Sequence, residues 1–196
     1  MEPNRLLRTI QKIDLHNEQD PNLVSHNGQQ VAKELLYSQR MTEMLEQFEP
    51  NASEYLQLAV RAQHIQRWKI PRDSYSMDKK GYLIWRTELK QMHAELTALI
   101  MRENGYQDHE IAHTSNLINK KKLKTDPEAQ ALEDVACLVF LAYYFDEFIA
   151  KHEAEEEKII DILQKTWKKM SERGHTAALK LPLSAKASDL VQQALT

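Results

Sequence analysis

Apolar residues recur every three or four positions along almost the whole chain, and only four glycines and six prolines punctuate its 196 residues. That period lays apolar side chains along one stripe of a helix and does not fit a strand, whose period is two. Strand-like alternation does not recur. The single Asn-Gly pair, Asn27-Gly28, is followed by helical patterning and is not flanked by β-rich runs. The chain is therefore expected to be all-α, a single-domain helical bundle over residues 1–180 with a tail over 181–196 carrying a short helix. Its 42% hydrophobic and 28% charged residues are ordinary for a folded globular chain.

The glycines, prolines and capping residues mark the joints. Leu6, Ile10 and Ile13 predict a first helix ending before Asn17-Glu-Gln-Asp-Pro21, and the apolar positions from Val31 to Phe48 predict a second, stopped by Pro50. Asn51-Ala-Ser-Glu54 opens a third, expected to run through Ile65 to about Trp68 before Pro71 ends it. Leu83 to Arg102 reads as a long helix with Gly105 as its stop, and Asp108 as the cap of the next. Asp126-Pro-Glu128 starts a helix that carries the apolar run Val135–Phe145 and is expected to continue into Ile159, Ile160, Leu163 and Trp167. Ser184 to Leu195 predicts the last one.

A net charge of -3 gives no global attraction to nucleic acid or to an anionic membrane. Cys137 is the only cysteine, so neither an internal disulfide nor a cysteine zinc cluster can form. The apolar run around it is too short to span a bilayer and is closed by Asp146 and Glu147. The start, Met-Glu-Pro-Asn-Arg, has no apolar leader, so the expected compartment is the cytoplasm. Glu153, Glu155, Glu156 and Glu157 read as a solvated helix face, and Lys120, Lys121, Lys122 and Lys124 as a solvated helix end.

One constellation asks for chemistry. In the expected third helix, His64 and Trp68 share a face, with Arg61 and Arg67 one turn to either side of His64. In the long helix, Arg86, Lys90 and His93 follow i, i+4, i+7 beside Trp85. Two helices thus carry a histidine among cations, and bringing both stripes together requires an anionic ligand, a metal-bound anion or a nearby carboxylate. Glu133 and Asp134, at the head of the most apolar helix, are the candidate carboxylates, because a carboxylate there is costly to bury unless paired or metal-bound. Histidine plus carboxylate on separate helices is also how helical proteins hold divalent metals.

Ala59-Val-Arg-Ala-Gln-His64-Ile resembles the Ala-Ala-Leu-Leu-His-Asp segment of HD-domain metal phosphohydrolases. Gly105-Tyr-Gln-Asp-His-Glu-Ile111 with Asn116-Leu-Ile-Asn119 is similar to the helix leading to that superfamily's second half. Asp126 to Asp134 is similar to its last metal-ligand segment, and Tyr37-Ser-Gln-Arg40-Met41 falls where it has His-x-x-Arg-Val. The order and rough spacing agree over about residues 31–145, which implies an HD-domain-like core. Tyr37 and Ile65 stand where two of the four ligands belong; His64 and Asp134 keep theirs, with His93 and Glu95 as substitutes. A fuller resemblance, over nearly the whole chain, is to the family called domain of unknown function 4202. It is carried by Arg61-Ala-Gln-His-Ile-Gln-Arg-Trp68, Gly81-Tyr-Leu-Ile-Trp-Arg86 and Leu132-Glu-Asp-Val-Ala-Cys-Leu-Val-Phe-Leu141.

The HD resemblance implies a metal-dependent phosphohydrolase, or a related enzyme, acting on a nucleotide or phosphorylated small molecule. His64, His93 and Asp134 would hold a divalent ion (iron, manganese or zinc), with Glu95 or Glu133 as a further ligand or general base. Arg67, Arg86 and Lys90 would neutralise phosphate. The alternative is a non-catalytic binding module. There Arg40, Arg61, Arg67, Arg86, His64 and His93 hold an anionic metabolite, and Trp68, Tyr82 or Trp85 stacks on a planar ring. A third expectation, a partner or homodimer surface on the acidic C-terminal helix, has no particular residue pattern to mark it.

Overall fold

Helices in the computed structural model begin where the sequence supplies caps; it describes residues 4–123 and 125–195, so Lys124 of the basic run lies outside the described residues. Asn4 accepts from the Leu7 amide to start α1 (Arg5–Asn17), and Ser53 accepts from Leu56 to start α3 (Glu54–Arg61). Asp78 starts α4 (Lys79–Glu103), and Asp126, followed by Pro127 at the first helical position, starts α6 (Pro127–Tyr143). Gly105, at φ +84, ends α4 as expected, its amide and that of Tyr106 bonding back to Arg102 and Met101. Asp108 is the first residue of α5 (Asp108–Ile118); Gln107 takes the cap position, and its amide donates to Glu110 at 2.7 Å.

The all-α expectation holds, with one small exception. Asn27-Gly28 does make a hairpin, joining β1 (Leu23–His26) to β2 (Gln29–Ala32) in antiparallel register, His26 opposite Gln29. Asn27 and Gly28 lie at φ 51 and 78, the two positive values that a tight two-residue hairpin turn requires. The turn chemistry thus outweighs the weak strand character of its flanks. The hairpin leads directly into α2 (Lys33–Phe48). A Cβ at Gly28 meets nothing within 4 Å, so Gly28→Ala tests backbone strain alone. It is expected to cost about 1 kcal/mol in urea unfolding.

Two helix ends differ from expectation. The third helix stops at Arg61; residues 62–66 form tight turns, followed by a short 3-10 turn at Arg67–Lys69. Gln66 lies at φ 51 and is held there by α1, because its amide donates to Asn17 Oδ1 at 3.0 Å and its side chain meets His16 Nδ1 at 3.0 Å. His64 and Trp68 therefore do not share a helical face. The apolar helix α6 ends at Tyr143 and does not run on to Trp167; α7 (Phe145–Lys151) and α8 (Glu156–Trp167) follow separately. The remaining elements are α9 (Glu172–Ala178) and α10 (Ala185–Leu195), the latter being the expected short terminal helix.

The chain divides into two compact units, Met1–Lys122 and Leu123–Thr196. In the first, α3 packs on α1, α2 and α5, and Leu58, Ala59 and Val60 are fully buried. Arg61 closes α3 and ties it to its neighbours. It grips both Asp14 oxygens at 2.7 Å and reaches Thr42 Oγ1 at 3.1 Å. In the second unit, α6 packs on α7 and α9, and α10 on α7 and α8, around Leu132, Leu138, Phe145 and Ile159. None of the described helices is long and apolar enough to cross a membrane.

Candidate functional site

The first unit gathers two histidines, a glutamate, a tyrosine and an arginine from three segments. Glu34 and Tyr37 come from the first turns of α2. The stripe Phe48, Leu45, Met41 and Ser38 continues back onto Glu34, so the amphipathic face that builds the core also buries this carboxylate, at 7% exposure. The turns after α3 supply His64 and Arg67, and α4 supplies His93. His64 stacks on Tyr37 with ring centroids 4.0 Å apart, and the His93 ring lies 6.1 Å from that of His64.

The hydrogen bonds define the state of His64. Arg67 Nη1 lies 2.8 Å from its Nε2. Since a guanidinium only donates, Nε2 carries the lone pair and Nδ1 the hydrogen. Nδ1 lies 3.3 Å from Glu34 Oε2. His93 is 2% exposed and donates to the backbone carbonyl of Gln63; its Nε2 has no hydrogen-bond partner among the described residues.

Electrostatics follow from burial and from the surrounding cations. Burial pushes the Glu34 carboxyl up to about 7, against the pull of Arg67 and Lys33. Burial holds His64 well below its ordinary value, helped by Arg67, Lys120, Arg86 and Lys33. His93 is lowered by burial, then by His64 and Arg67. At neutral pH both imidazoles are uncharged, and burial favours the protonated form of Glu34.

An aromatic and cationic rim adjoins this cluster. Arg67 stands 5.0 Å over the Trp85 ring and Arg72 5.8 Å from it, while the Trp85 indole donates to Ile70 O at 2.8 Å. Arg86 donates to the Tyr82 hydroxyl at 3.1 Å, and Tyr82 keeps 41% of its surface exposed.

Of the residues expected in the site, His64, His93, Arg67, Trp85, Arg86 and Tyr82 come together here. Arg40 and Lys90 are part-buried on α2 and α4, and Trp68 is part-buried in the 3-10 turn. Arg61, expected as an anion ligand, is engaged by Asp14 and Thr42. Glu95, two residues beyond His93, projects from the opposite side of α4, where it is exposed and accepts from Gln91. Glu133 and Asp134 are buried in the second unit. There Asp134 accepts from the Ser171 amide (2.8 Å), the Ser171 hydroxyl (2.6 Å) and Gln130 (3.2 Å). Glu34, Lys33 and Lys120 lay outside the expected set; the α2 stripe was the available signal for Glu34.

A divalent ion needs several open lone pairs converging on one point. His64 Nε2 faces a guanidinium, Glu95 points to solvent, and both Asp134 oxygens already accept. Among the described residues no group of three or more His, Cys, Asp or Glu side chains is arranged to hold a metal. As they stand, the residues implied by the HD resemblance do not make a shared ligand set.

The molecule is thus an all-α protein whose first unit carries a buried Glu-His-His-Arg cluster. It belongs to the family described as Domain of unknown function (DUF4202), whose model matches residues 7–191. No curated protein and no solved structure matches the chain.

Proposed function

We propose that the first unit binds an anionic small molecule bearing a phosphate, held by Arg67 and Arg86 beside His64, with Trp85 and Tyr82 flanking it. The observation that carries this reading is that a guanidinium, not a carboxylate, occupies the lone pair of His64 at the centre of the cluster. Lys33, Arg86 and Lys120 act on the same imidazole, so cations from four segments converge beside Glu34, whose ionisation burial opposes. A phosphate there gains charge-assisted hydrogen bonds from the guanidinium groups. His64 keeps 21% of its side-chain surface in solvent, which leaves the cluster reachable from outside.

Inorganic phosphate, nucleotides and phosphorylated metabolites are expected to raise the midpoint of thermal unfolding. A ligand at one hundred times its Kd adds about 2.7 kcal/mol, a shift of several degrees. Arg86→Ala is expected to abolish the shift while leaving the ligand-free midpoint close to wild type. If no anion stabilises the chain, the proposal is wrong.

The second reading is the HD-like phosphohydrolase, and the open Nε2 of His93 is the observation in its favour. It requires purified protein to carry stoichiometric iron, manganese or zinc that His93→Ala loses. Wild-type protein grown with ample metal and found free of it rules this reading out.

A further inference from the structure

Two buried acceptors in the cluster have no donor. His93 Nε2 is one and the side-chain Oε1 of Gln63 is the other; neither finds a hydrogen-bond partner among the described residues. The Gln63 backbone carbonyl takes the other ring hydrogen of His93. That bond fixes the tautomer, so Nε2 can only accept. A buried acceptor left unpaired is costly, and its partner must be a donor. A phosphomonoester dianion has only acceptor oxygens, so the anionic group that pairs with Arg67 cannot also satisfy His93. A donating group carried by the same molecule would satisfy it.

We propose that the ligand is a phosphorylated polyol or sugar, one of whose hydroxyls donates to His93 Nε2 while its phosphate meets Arg67. This rests on the anion-binding reading above and adds the class of molecule. The neutral ring lies beside the one that Arg67 engages, its centroid 6.1 Å away, so both contacts fall within the span of one small ligand.

The test compares methyl phosphate with glycerol phosphate at pH 8, where both are dianions and only the second carries hydroxyls. Wild type is expected to bind glycerol phosphate roughly tenfold more tightly by calorimetry, the scale of one buried hydrogen bond. His93→Asn keeps an amide donor for the Gln63 carbonyl and removes the Nε2 acceptor. It is expected to lose the tenfold preference, read as the ratio of its own affinities for the two probes. Equal binding of the two probes by wild type overturns the proposal, as does a preference that survives in His93→Asn. Should that variant fail to fold, the ¹⁵N resonance of His93 Nε2 in wild type decides. It must move toward the hydrogen-bonded position with glycerol phosphate and not with methyl phosphate, and identical responses overturn the proposal. If neither probe binds, the anion-binding reading itself falls, and this one with it.

Discussion

Asp134→Ala is expected to destabilise the chain by about 3 kcal/mol or more in urea unfolding, with a chelator present throughout. The carboxylate is 1% exposed and accepts from the amide and hydroxyl of Ser171 and from Gln130, so it anchors the start of α9 to α6. The Ser171 hydroxyl in turn caps that helix by accepting from the Gly174 amide at 3.0 Å. Alanine takes the acceptor from the part-buried Ser171 amide and opens a void beside Gly174, whose backbone already approaches Asp134 closely enough to leave no room for a Cβ. A residue whose role is to hold a metal predicts the opposite in chelator, namely no change. A variant as stable as wild type under those conditions sinks the anchoring role.

Glu34→Gln is expected to stabilise the chain by up to about 3 kcal/mol at pH 8 and to change little near pH 4.5. The sign follows from the direction of the shift. Burial raises the Glu34 carboxyl from its ordinary 4.5 to about 7. Between those values the folded chain keeps a proton that the unfolded chain has lost, so stability falls as pH rises through that window and stays lower above it. Glutamine imitates the protonated carboxyl, still offers an oxygen to His64 Nδ1 and never ionises. His64 and His93 act in the other direction. Both are held well below 6.5, so stability declines as pH drops beneath 6.5, when the unfolded chain gains protons that the folded chain does not. That loss is common to variant and wild type except for the part that the 3.3 Å approach of Glu34 to His64 couples to the substitution. Chemical denaturation of both proteins at several pH values measures the gap, and a gap that does not widen between pH 5 and 8 contradicts the burial of Glu34.

Much of the fold was legible because its signals are local. Asp126-Pro127, Ser53 and Gly105 sit where they start or stop helices, and each acts within a turn of its own position. The Asn27-Gly28 hairpin was legible in its turn but obscured by flanks with little β character, Leu23-Val-Ser-His26 and Gln29-Gln-Val-Ala32. The early end of α3 was not legible. It depends on Asn17 and His16, 49 and 50 residues from the Gln66 they hold.

The candidate site divides the same way. Two histidines among cations could be seen in the pattern, and His64, His93, Arg67 and Arg86 do gather. Arg61 and Asp134 looked equivalent to them because an arginine or an aspartate has the same sequence appearance whether it meets a ligand or a buried partner. Their partners lie 47 and 37 residues away. Glu34 was hidden for the converse reason, since a glutamate in a first helical turn ordinarily needs no explanation beyond the helix dipole.

By itself, then, the sequence determined where the helices lie and where they are punctuated, because caps, turn residues and apolar period act over a few positions. Only the tertiary structure decided which charges are paired inside the fold and which gather around His64. Burial and the choice of partner join residues far apart in the chain, and they set the protonation of Glu34, His64 and His93. The all-α pattern is kept, and the buried cluster rests on one turn of α2, the short break after α3 and His93 of α4.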